Sequence, residues 1–88
     1  MQFMVTYSID IPQRDAAEAR FLETGAIPPE GVQMLGRWHC TGERRGVMIL
    51  ESDDMTLVMK FMRQWNDVLN FKITPVVGDA QLAEVMQS

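Results

Sequence analysis

The chain has 88 residues, 47% of them hydrophobic and 23% charged, which leaves room for one folded core and excludes a disordered tail or a second domain. Eight Lys and Arg against twelve Asp and Glu give a net charge of −4, the wrong sign for sequence-independent binding to nucleic acid. A single cysteine excludes an internal disulfide and a multi-thiolate zinc centre, and no apolar run approaches the roughly 20 residues that span a bilayer.

These properties predict a soluble, cytoplasmic protein in which residues 1–88 form one domain without a membrane or nucleic-acid partner. The N-terminus supports this. Phe3, Val5, Tyr7 and Ile9 alternate with Met4, Thr6 and Ser8, the two-residue period of a strand, and no basic leader of a signal peptide precedes them. Asp10 and Pro12 then offer a cap and a first-turn proline for a helix running from about Pro12 to Thr24, which Gly25 stops. Pro28 and Pro29 make a rigid connector.

A second strand follows from Val32 to Cys40, and the polar tip Thr41-Gly42-Glu43-Arg44-Arg45 turns the chain back into Val47-Met48-Ile49-Leu50 as a hairpin. Ser52, Asp53 and Asp54 open a second helix over about Asp53 to Asn66, with Met55, Val58, Met62 and Trp65 at helical spacing. Phe71 to Val77 alternates again as a fourth strand, where Pro75 predicts an edge position. A short tail helix from Asp79 to Met86 is expected to dock through Leu82, Val85 and Met86.

The predicted order is strand, helix, strand, strand, helix, strand, an α+β fold of the ferredoxin-like βαββαβ kind with a short C-terminal helix. Val47 to Leu50 is apolar on both faces, so both sides of the sheet need cover there. Two helices on one face supply half of it. A second copy of the same sheet supplies the rest most simply, and a homodimer is predicted.

Several short segments carry a resemblance: Phe3-Met4-Val5-Thr6-Tyr7, Arg14-Asp15-Ala16-Ala17, Arg20-Phe21-Leu22, Pro28-Pro29-Glu30-Gly31-Val32, Leu35-Gly36-Arg37-Trp38-His39 and Thr74-Pro75-Val76-Val77. Through them the chain resembles, over nearly its full length, a family of small uncharacterised bacterial proteins of the dimeric α+β barrel superfamily. The resemblance implies a dimeric barrel. The wider superfamily includes cofactor-independent monooxygenases, muconolactone isomerase-like enzymes and haem-dependent peroxidases, and it assigns no catalytic residue to a position here.

His39 is the sharpest candidate for chemistry, because histidine is the side chain that ordinarily changes charge near neutral pH. Adjacent strand residues point to opposite faces. If Trp38 and Met34 lie beneath the helices, Leu35, Arg37 and His39 face a second subunit beside Thr6, Ser8 and Thr74. There Arg37 would anchor an anionic or carbonyl-bearing molecule and His39 would carry a proton. The plainer alternative has both residues hydrogen-bonding across the dimer seam or in water. Asp10, Glu51 and Asp67 are conceivable orienting carboxylates, and spacing selects none of them. Gly36 inside the strand is where a bulge would exchange these faces.

Tyr7, Trp38 and Trp65 would form an aromatic, ligand-binding pocket between sheet and helices, or simply part of the core. Eight methionines with His39 and Cys40 share no diagnostic ligand spacing, so no metal is expected. The scattered glycines never form a phosphate-cradling loop, and no cofactor is expected. Together these features predict a homodimeric small-molecule-binding protein, whose enzymatic form would be a cofactor-independent monooxygenase or isomerase. The alternative is a non-enzymatic dimeric interaction or structural module.

Overall fold

The alternating N-terminus forms the first strand. In the computed structural model, which describes residues 1–88, β1 spans Gln2–Ser8 and buries Phe3 and Val5 on one face. A 3-10 turn over Ile11–Gln13 leads into α1, Arg14–Thr24. Pro12 sits in that turn, where a missing N–H is harmless, but Asp10 makes no side-chain capping bond, contrary to expectation. α1 ends as its sequence predicts, with Gly25 in the left-handed region at φ 72°.

The remaining elements are β2 (Gln33–His39), β3 (Arg45–Glu51), α2 (Met55–Arg63), β4 (Asn70–Val76) and α3 (Asp79–Gln87). Asp54 caps α2 by accepting the Thr56 N–H at 2.9 Å. Ser52 is buried and satisfied: its hydroxyl donates to the Gly31 carbonyl at 2.8 Å and accepts the Asp54 N–H at 3.1 Å. One side chain thus ties the approach to β2 to the start of α2.

The strands form one antiparallel sheet in the order β2-β3-β1-β4, giving a mixed α+β fold with three helices. β4 lies at an edge, which accommodates Pro75. Phe3, Val5, Met48 and Leu50 from the sheet pack against Val58, Phe61, Met62 and Trp65 from α2 and the turn after it. Burying a side chain such as Leu50 or Phe61 contributes about 1.5–3 kcal/mol, so this sheet–α2 contact supplies most of the cohesion.

α1 contributes only Ala17 to that core. Its connection to the α2 side is polar: the Arg20 guanidinium donates to both carboxylate oxygens of Asp67 at 2.7 and 2.8 Å and to the Gln64 carbonyl at 2.8 Å. Because Ala17 is the one α1 residue in the core and its side chain is small, volume beside it goes unfilled. The space left open there becomes the candidate site.

α3 departs from expectation. Every one of its residues is exposed, with Leu82 at 50%, Val85 at 68% and Met86 at 75%, so none of the three docks on the body. The helix follows edge strand β4, and the core face of the sheet is already occupied. The radius of gyration is accordingly 14.6 Å, against about 12 Å for a compact chain of this length. No helix is long and apolar enough to cross a membrane.

Candidate functional site

One extra residue in β2 decides which side chains meet. Met34 pairs with Leu50 and Gly36 with Ile49, which leaves Leu35 as a bulge between them. Beyond the bulge the side-chain sense is reversed relative to a regular strand starting at Met34. Arg37 comes opposite Met48 and His39 opposite Gly46, on the side covered by the helices, whereas Trp38 pairs with Val47 on the other side.

This corrects two sequence expectations. Arg37 and His39 do not face outward with Thr6, Ser8 and Thr74; they join Tyr7 beneath the helices. Trp38 does not enter the aromatic pocket. It is 59% exposed on the opposite face, its indole lying over Gly36, where a Cβ would collide with the ring. Tyr7, Arg37, His39 and Trp65 line one cavity of about 450 Å³ between sheet and helices. Trp38 does not line it.

α1 presents Arg14, Ala17, Glu18, Phe21 and Leu22 to the cavity, an i, i+3, i+4, i+7, i+8 stripe in which Ala17 fills little of the space. Met48, Phe61, Met62 and Phe71 form the apolar walls. Their periodicity marks an inward face without saying whether it is packed or hollow.

At the polar end, the Tyr7 hydroxyl hydrogen-bonds His39 Nδ1 at 2.5 Å, with the rings edge to face at 5.7 Å between centroids. None of the carboxylates weighed as a partner for His39 fills that role; a phenol does, and Asp67 is engaged by Arg20. Gly46 makes this possible, because a Cβ there would run into the Tyr7 ring. Burial pushes the Tyr7 phenol above its ordinary pKa of 10.0, and the neighbouring Cys40 adds to the effect while Arg37 opposes it. Tyr7 therefore keeps its proton at neutral pH.

Arg37 is held from two directions. Its guanidinium donates to the carbonyls of Gly25 at 3.1 Å and Ala26 at 2.8 Å, where α1 ends, and lies over the Phe21 ring at 5.0 Å. Ala26 itself has φ 47°, so the clamp fixes a strained exit from the helix. Burial lowers the Arg37 pKa, partly offset by Tyr7. The side chain is still a cation, and no carboxylate pairs with it.

Chemically, this arrangement offers an apolar chamber with one wall bearing a phenol, an imidazole and a guanidinium. A proton can pass between a bound oxygen atom, the Tyr7 hydroxyl and His39, which is exposed to solvent. No group of three or more His, Cys, Asp and Glu side chains converges anywhere in the molecule.

A four-stranded antiparallel sheet with a cavity between it and its helices defines a small α+β protein with a candidate ligand chamber. The chain belongs to the DUF3303 family, a domain of unknown function whose model matches residues 1–88. No curated protein sequence matches it.

Proposed function

We propose that the protein is a homodimer of the dimeric α+β barrel kind, built from ferredoxin-like protomers, that binds a small molecule in the chamber beside Tyr7 and His39. The observation that carries the binding reading is the chamber itself: about 450 Å³, mostly apolar, with a phenol–imidazole pair and an unpaired cation at one end. Sites for small ligands have this volume and this combination of apolar walls with a few convergent polar groups. If the bound molecule is transformed, the Tyr7–His39 pair is suited to protonating or deprotonating it without a cofactor, as a monooxygenase or isomerase would require.

The surface supports self-association. The chain exposes 6343 Å², whereas a compact monomer of 10.0 kDa has roughly 5,200 Å². The undocked α3 accounts for part of this excess of about 1,100 Å², and the whole is of the order of the roughly 800 Å² that each partner buries in an ordinary stable interface. Leu35 and Trp38 on the outer sheet face, with Met4, Val47 and Ile49 beside them, supply the apolar area for a second copy. A non-enzymatic dimeric module would share that interface but have no use for the chamber.

A protein-observed NMR screen of small aromatic and alicyclic fragments tests the binding reading. Bound fragments should shift the amides of Tyr7, Phe21, His39 and Phe71 together. The reading is lost if no fragment does so, or if the shifts gather around Trp38 on the outer face.

A further inference from the structure

Charge is distributed unevenly between the chamber and the molecule. The protein carries a net charge of −4, yet the charged side chains lining the chamber are Arg14, Arg37 and Arg44 against Glu18 and Glu43, a surplus of one positive charge. Arg14 is engaged by Asp15 at 3.5 Å and Glu43 by Arg45 at 3.6 Å. Arg37 and Arg44 have no acidic partner, only backbone carbonyls: Gly25 and Ala26 for Arg37, and Ile9 for Arg44. A guanidinium has five N–H donors, so Arg37 keeps unused ones after those bonds. A part-buried cation without a counter-charge is costly, and a ligand that supplies the charge recovers that cost.

The apolar side has its own signature. Phe21, Phe61, Trp65 and Phe71 present aromatic groups to the chamber, and Met48 and Met62 complete its walls with polarisable thioethers. Flat rings are the shape such walls stack against best. Tyr7 remains a neutral phenol and so does not repel an anion.

Resting on the proposed binding function, we infer that the chamber is a site for aromatic carboxylates, with the carboxylate against Arg37 and the ring system among Phe21, Trp65 and Phe71. Arg37 then has two tasks, closing the end of α1 and neutralising the ligand. The alignment of the guanidinium by the Gly25 and Ala26 carbonyls before the ligand arrives reduces the ordering that binding requires.

The test uses a matched pair of probes, naphthalene-2-carboxylate and naphthalene-2-carboxamide, titrated calorimetrically into the intact protein at neutral pH. The indole Nε1–H signals of Trp65 and Trp38 are followed in parallel. The carboxylate should bind at least about tenfold more tightly than the amide, as a charge-assisted pair predicts. It should move the Trp65 signal and leave Trp38 in place. Added salt and Arg37→Met should each shrink the preference, whereas Arg44→Gln, which leaves Arg37 and its hold on α1 intact, should keep it; a preference lost in Arg44→Gln and kept in Arg37→Met would overturn the assignment to Arg37.

Equal affinities, or a tighter amide, with Trp65 responding to both would overturn the carboxylate inference while leaving the chamber as a binding site. Silence at Trp65 with both probes would remove this inference, and failure of the wider fragment screen as well would remove the binding function beneath it.

Discussion

Tyr7 draws together burial, proton chemistry and the shape of the sheet. Its phenol is held above the ordinary value of 10.0, chiefly by burial, so below that pH folded and unfolded chains both keep the proton. As the pH climbs past it the unfolded chain ionises first, and stability falls until the folded phenol also ionises. Urea unfolding of wild type and Tyr7→Phe between about pH 8 and 11 should show the wild-type advantage shrinking across that window; parallel curves would contradict the burial of the phenol. Gly46 gives a second residue-scale outcome. A Cβ there meets the Tyr7 ring and approaches the Trp38 carbonyl at 2.7 Å, so Gly46→Ala should cost about 1–3 kcal/mol in urea unfolding. His39→Ala removes one hydrogen bond from an exposed imidazole and should cost no more than about 1.5 kcal/mol. A larger loss would make His39 a structural residue.

At the scale of the elements, sequence and structure agree where the signal is local. Gly25 stops α1, Pro75 lies on an edge strand, and Asp54 caps α2, each through the backbone chemistry of a residue and its immediate neighbours. The site was less legible. Gly36 advertises a bulge in β2 without naming the extra residue, and one residue either way sends Arg37 and His39 to opposite sides of the sheet from the sides they would otherwise take. The contact between Tyr7 and His39 joins residues 32 apart, and no spacing rule anticipates it. The hold of Arg37 on the end of α1 depends on the same bulge. α3 fails for a different reason: its apolar stripe is real, but periodicity does not say whether a surface is available to receive it. Removing residues 79–88 should therefore change monomer stability by less than about 0.5 kcal/mol in urea unfolding. A large loss would mean that α3 packs on the body after all.

For the whole molecule, the sheet has two faces with different tasks. The helix side holds the core and the chamber, and the outer side carries Trp38 with Leu35, Met4, Val47 and Ile49. Sedimentation equilibrium at micromolar concentration should find a dimer, and Trp38→Asp should weaken it by at least about tenfold, since a charge in the centre of an apolar interface has no partner. A lone ten-kilodalton species would remove the dimer and leave the chamber to be judged by itself. The division of labour between the faces rests on the side-chain sense that the Leu35 bulge imposes, and an aromatic NOESY spectrum reads that sense directly. Cross-peaks are expected from the His39 ring to Tyr7 and Phe21, and from the Trp38 ring to Gly36. Cross-peaks from Trp38 to Phe21 or Trp65, with none between His39 and Tyr7, would contradict that arrangement.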